Sequence, residues 1–323
     1  MLHTRLCDVL GIEHPIISAP MAGTADAALA AAVSAAGGLG LIGASLHSPE
    51  WLREQIYLVR QQTDRPFGVG FITSAPDTDM LMEVALEHRV PVISHSFADP
   101  TSYIQAAAEI GLKTVVQVQT VAQARVAARA GAAAIAAQGV EAGGHTGMVS
   151  GALPPVPAVV DAVGDIPVVA AGGIADGRGL AVVLLLGAEG VWMGTRFVAS
   201  QEANSDLWNK EQIVQAEADD FILTRVYDIV REAPFPKNVG ERIRRNAFTE
   251  QWHGQDDEVA ARKEELRAQL DAAAEQGDRS LARVLAGNSA GLVHAVEPAG
   301  DIVRRIVAEA EAILRARPGV LLQ

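Results

Sequence analysis

The chain has 323 residues, 49% of them apolar and 20% charged, enough to bury one large core without demanding two domains. Its formal net charge of −13 gives nucleic acid and anionic membrane surfaces no electrostatic reason to bind it. A single cysteine, Cys7, excludes an intramolecular disulfide and any zinc or iron–sulfur cage built from cysteine.

From residue 15 to residue 197, short apolar runs alternate with longer alanine-rich segments, the pattern of repeated βα units. The runs predict eight strands, at residues 15–20, 39–44, 67–72, 90–94, 114–118, 132–137, 167–171 and 190–193. Helices are predicted between them at 25–36, 49–62, 77–88, 101–109, 121–130, 154–163 and 177–186. Ser48 and Thr120 stand as caps before two of these, and Gly37, Gly111, Gly131 and Gly187 close four. Eight parallel strands at this spacing close most simply into a (β/α)₈ barrel, the TIM barrel, in an α/β fold; a doubly wound open sheet is the alternative.

Beyond residue 197 the pattern changes. Helices are expected at 204–215 and 257–275, with an irregular link at Ala233, Pro234, Phe235 and Pro236. The charged runs 242–245 and 262–267 read as solvated helix faces. A last amphipathic helix is predicted at 301–315. The expected organisation is therefore a barrel of residues 1–200, completed by the last helix at about 287–317, with residues 201–286 as a C-terminal helical appendage inserted between them. That appendage serves as a lid over the barrel mouth or as a homodimer surface. No segment holds the ~18 consecutive apolar residues of a membrane span, and the first residues lack a signal-peptide core, so a cytoplasmic enzyme is expected.

Parallel α/β folds carry their chemistry at the carboxyl ends of the strands. Two glycine turns sit at the last two of these ends: AAGGIADGRG at 170–179 and VWMGTRF at 191–197. Gly172, Gly173 and Gly194 leave backbone N–H groups unobstructed and Thr195 adds a hydroxyl, the requirements of a phosphate site, although ordinary tight turns would read the same way. There is no GxGxxG after a strand and no P-loop. The eight histidines are scattered without metal-ligand spacing, and no serine stands in a nucleophile elbow, so no metal site or hydrolase is expected.

His145 follows the sixth strand in QGVEAGGHTG, a loop facing the same barrel end, where an imidazole can donate or remove a proton near neutral pH. Glu141 either orients it or caps the turn. His95, after the fourth strand, is a second candidate, to be set against an ordinary residue of a solvent-exposed loop.

These motifs, with PIISAPMAG at 15–23, AAAVSAAGGLGLIGA at 30–44 and PFGVGF at 66–71, resemble the FMN-dependent nitronate monooxygenases, formerly called 2-nitropropane dioxygenases. The resemblance is dense from 15 to 197 and weaker to the last helix. It implies a TIM barrel with FMN at its mouth, Pro20, Met21 and Ala22 beneath the isoalloxazine, and Gln138 and Gly143 in contact with it. Gly172, Gly173, Met193, Gly194 and Thr195 would hold the phosphate, and His145 matches the catalytic histidine. The implied reaction oxidises a nitronate or nitroalkane with O2 to a carbonyl compound and nitrite, the histidine acting as base on neutral nitroalkanes. Two positions depart from the family: Gly70 stands where Asn is common, and Gln117, a candidate flavin contact on the fifth strand, stands where Lys is frequent; the loop 146–153 is also short. The same motifs resemble NAD(P)H-dependent enoyl-acyl-carrier-protein and quinone reductases, and a flavin-binding protein without turnover is a further alternative.

Overall fold

The computed structural model describes residues 2–322. Eleven strands are present in them: β1 Ile16–Ser18, β2 Gly40–Gly43, β3 Phe67–Ile72, β4 Val92–Ser96, β5 Lys113–Val118, β6 Ala134–Gln138, β7 Gly144–Gly147, β8 Val168–Ala171, β9 Gly190–Met193, β10 Phe221–Thr224 and β11 Val239–Arg244. Eight of them form one parallel sheet in the order β1-β9-β8-β6-β5-β4-β3-β2. A parallel bridge between Ile17 and Leu39 joins its two edges, so the expected (β/α)₈ barrel is closed.

Alternation along the strands sends one set of side chains inward and the other toward the helices. The inward set, including Ile17, Leu41, Val92, Val115, Ala136, Val169 and Trp192, packs with Leu6, Cys7 and Leu10 of the first helix, Arg5–Leu10, which plugs the amino end. Chemistry is thereby confined to the carboxyl end. The helix Ala299–Leu321 buries Ile302, Val303, Ile306 and Ala310 against the helices Gly177–Leu185 and Ala27–Ala35, filling the gap in the helical ring between β9 and β1.

An ion pair fastens this last helix to the barrel. Arg196, 1% exposed, donates from Nη2 to Glu297 Oε2 at 2.9 Å and from Nη1 to the Ala295 carbonyl at 3.1 Å. Burial lowers its pKa to about 10, Glu297 opposing that shift.

Four expectations are corrected. Residues 201–286 are not purely helical: β10 and β11 pair antiparallel, and β7 adds to β11 to make a second, three-stranded sheet. His145 consequently lies on a strand rather than in a loop, because small residues extend the chain to meet β11. Residues 242–244 belong to β11, where Arg242 and Arg244 alternate with buried Glu241 and Ile243 instead of lining a helix.

His95 is the fourth. It lies within β4 and is fully buried, facing the helices, stacked on Tyr103 with ring centroids 5.0 Å apart and bonded through Nδ1 to Thr73 Oγ1 at 3.1 Å. Burial pulls its pKa down to about 4. The fourth strand runs two residues past its predicted end, which carries His95 from a loop into the core.

Two predictions follow from these buried groups. Glu297→Ala strands the Arg196 cation and is expected to cost about 3 kcal/mol in urea unfolding; a loss within the ~1 kcal/mol of an exposed pair would contradict it. Because unfolded histidine takes up a proton near pH 6.5 and native His95 only near 4, the unfolded state binds more protons in that window. Stability from neutral His95 is therefore lost as pH falls through it, by about 3 kcal/mol. His95→Phe should gain that much relative to the parent between pH 7 and pH 4, and a constant difference would count against the assignment.

Candidate active site

The rim of the barrel is built from small residues on one side and amides on the other. The turn after β1 runs across the end of β2: a Cβ added to Gly43 would lie 2.5 Å from the Met21 carbonyl carbon. Pro20 leans on β3, where a Cβ at Gly70 would fall 2.3 Å from its ring and 2.6 Å from Ser94 Oγ. Glycine at 70 is thus a packing requirement of Pro20. Any side chain there, including asparagine, would need the β1 turn to move. Ala22 is exposed on the same turn.

Opposite stands a fan of three glutamines. Gln138 Oε1 accepts from Gln117 Nε2 at 3.1 Å and from Gln119 Nε2 at 3.0 Å, while Gln138 Nε2 donates to the His145 carbonyl at 3.1 Å. The expected neighbours Gln117, Gln138 and His145 are brought together, and Gln119 joins them. Position 117 therefore contributes a neutral amide held in a network, where a lysine would bring a charge.

Gly172 and Gly173 adopt φ of 96° and 73°, left-handed values natural only to glycine. Gly194 opens the turn after β9, and Thr195 Oγ1 accepts from the Gly287 N–H at 2.9 Å, which leaves its own proton free to donate. Met193 reaches this rim with backbone alone, since its side chain is buried with Ile16 on the helix side of the sheet. Gly143 is spent on a chain crossing: its added Cβ would lie 2.4 Å from the Gly287 nitrogen, so residues 286–287 pass directly over the loop after β6.

His145 stands at the centre of a cluster drawn from both sheets. Its Nε2 lies 2.9 Å from Asp228 Oδ1 on the helix Val226–Arg231, leaving Nδ1 for other partners. The ring stacks on Phe235, centroids 3.4 Å apart and planes 14° from parallel, and meets the edge of Phe97 at 6.4 Å. Phe97 holds φ at 71°, a strained value on the order of 1–3 kcal/mol for a non-glycine residue. The Phe235 link is tied across the mouth by Ser74 Oγ, which donates to the Pro234 carbonyl at 2.8 Å. Antiparallel pairing sets Glu241 directly opposite His145. Burial raises Glu241 to about 7, with the Arg283 guanidinium at 3.0 Å opposing and Asp228 reinforcing the shift.

Of the two roles left open for Glu141, the structure selects the cap: both carboxylate oxygens accept from the Ala152 N–H, at 3.0 and 2.8 Å. Asp228 takes the orienting position. Neither it nor Glu241 carried a local signal, because they lie 83 and 96 residues from His145 and meet it only through folding.

The family model described as Nitronate monooxygenase matches residues 3–81 and 74–309. A probable nitronate monooxygenase of Staphylococcus aureus (strain MSSA476) is 31% identical over 356 aligned positions, covering 96% of this chain and 98% of the relative. The (3aS,4S,5R,7aS)-5-hydroxy-7a-methyl-1-oxo-octahydro-1H-indene-4-carboxyl-CoA dehydrogenase of Mycobacterium tuberculosis (strain ATCC 25618 / H37Rv) is 38% identical, over 70% of this chain and 64% of its own length. Among solved structures, FabK from Thermotoga maritima superposes with a TM-score of 0.89 at 39% identity, covering 99% of this chain and 100% of that one. With barrel, rim motifs and family match in agreement along nearly the whole sequence, the chain belongs to the nitronate monooxygenase family of FMN-type oxidoreductases.

Proposed function

We propose that this enzyme is an NAD(P)H-dependent reductase of the FabK-type enoyl reductase class, acting on an α,β-unsaturated acyl thioester. The observation that carries this reading is the pairing of His145 with Asp228. A carboxylate accepting the Nε2 proton at 2.9 Å balances an imidazolium and leaves its second N–H, on Nδ1, available to donate. Enoyl reduction needs such a donor, since the α-carbon must be protonated. The likenesses point the same way: FabK at 39% identity and a CoA-thioester dehydrogenase at 38% both exceed the 31% of the S. aureus nitronate monooxygenase.

Family membership implies FMN, and the rim fits it. Ser94 Oγ is buried there without a hydrogen-bond partner, and the Gln117 and Gln138 amides match the alternating donors and acceptors of an isoalloxazine edge. Pro20, Met21 and Ala22 would lie beneath the ring, while Gly172, Gly173, Gly194 and Thr195 would take the phosphate. Gly143 serves this arrangement by letting residues 286–287 cross. Bound in this rim, FMN would supply the hydride chemistry that links NAD(P)H to the β-carbon of the enoyl group. His145 gives the Nδ1 proton to the α-carbon while Nε2–H stays on Asp228, and solvent restores the Nδ1 proton. Phe97 and Phe235 shield the imidazole from water. Oxidation of a nitronate by O2 is the second reading, favoured by the description of the matching family; there neutral His145 would act as base only where a neutral nitroalkane is the substrate.

Anaerobic titration separates the two. FMN-loaded protein should be bleached by NADH or NADPH and reoxidised by a 2-enoyl-CoA, with His145→Ala still bleached but slower in enoyl turnover by about 10²–10⁴-fold. Bleaching by a nitronate alone, with nitrite released in air, would replace this reading by the second.

A further inference from the structure

Resting on the reading of His145 as proton donor, we propose that Asp228 and Glu241 are its positioning residues: Asp228 fixes the tautomer that frees Nδ1, and Glu241 stores a proton behind that pair.

The three groups come from three elements, β7, the helix Val226–Arg231 and β11, yet one ligand atom of each lies within 4.8 Å of the others. Asp228 uses Oδ1 on His145, and its Oδ2 is buried without a partner. Glu241, 0% exposed, uses Oε2 on Arg283, and its Oε1 is likewise buried without a partner. Two carboxylates that each keep an unpartnered oxygen in one dry cluster carry a desolvation cost that a proton on either relieves. Glu241 is the better holder, because Asp228 faces the imidazole directly.

The charge balance gives this proton a use. With His145 and Arg283 cationic and both carboxylates ionised, the four groups sum to zero. Once Nδ1 gives its proton to the substrate carbon, the sum becomes −1 unless Glu241 takes a proton from solvent. Restoring the Nδ1 proton lets Glu241 release one. The other charged or titratable groups that act on Glu241 are Arg231 and Tyr227, from the helix carrying Asp228. Burial places Glu241 near 7, so its proton exchanges at the pH where an imidazole acts. With one ligand atom of each within 4.8 Å of the others, a proton on Glu241 would be felt electrostatically at the imidazole.

The test is NMR of ¹⁵N-histidine-labelled, FMN-loaded protein. Neutral His145 in the parent should carry its proton on Nε2, and D228N should shift it wholly or partly to Nδ1, with D228E restoring the parent pattern. Between about pH 5 and 9, the parent His145 signal should move in two steps and that of E241Q in one. A single step in both proteins overturns the proposal. So does stoichiometric Mn²⁺ broadening of the His145 signal, which would assign the cluster to a cation. Should D228N not fold, the comparison of parent with E241Q still decides. Coupled titration without enoyl turnover would uphold the cluster and reject the reductase reading, whereas turnover without coupling would do the reverse.

Discussion

Four residue pairs, Gly144–Gly147 against Val239–Arg242, hold the site together. In an antiparallel ladder, directly opposed residues share a face, so pairing His145 with Glu241 places both on the side from which the Asp228 helix approaches. A slip of one residue would turn the imidazole to the other face and bring Arg242 opposite the wrong neighbour. The register is protected because Gly240 and Glu241 are fully buried and Ile243 packs into the core of the appended helices. The appendage is thus part of the His145 cluster, supplying Asp228, Phe235 and Glu241, while the barrel supplies the rim.

That division explains what the amino-acid sequence revealed. The barrel was legible because each βα unit carries its own apolar run, and several add a cap or a closing glycine. Thr120, for instance, forms a full capping box with Gln123, and Gly131 closes the same helix in a left-handed conformation. The small sheet was not legible, since Gly-His-Thr-Gly has no apolar alternation and β11 hides its alternation behind buried Glu241 and two arginines. His95 shows a boundary error with a chemical consequence: two more residues of strand turn a candidate catalyst into a core histidine. The location of His145 could be read from its loop motif, but its partners exist only in three dimensions.

The two departures from the family pattern now have physical content. Glycine at 70 accommodates Pro20, so the β1 turn sits closer to β3 than a side chain would permit. Glutamine at 117 joins a neutral amide fan, so the positive charge that a lysine would bring there is absent. A rim without that charge offers less electrostatic support to an anion, which agrees better with an uncharged enoyl group than with a nitronate.

The helix Ala299–Leu321 has a further consequence for biogenesis. Its partners include the helix Ala27–Ala35, some 270 positions earlier, and between them lie all the barrel strands but β1. Contacts of that separation are slow to form, and they cannot begin on the ribosome until synthesis has passed residue 310. Until then the flanks of the first and last barrel strands remain uncovered, so the nascent chain carries an apolar seam through most of its translation.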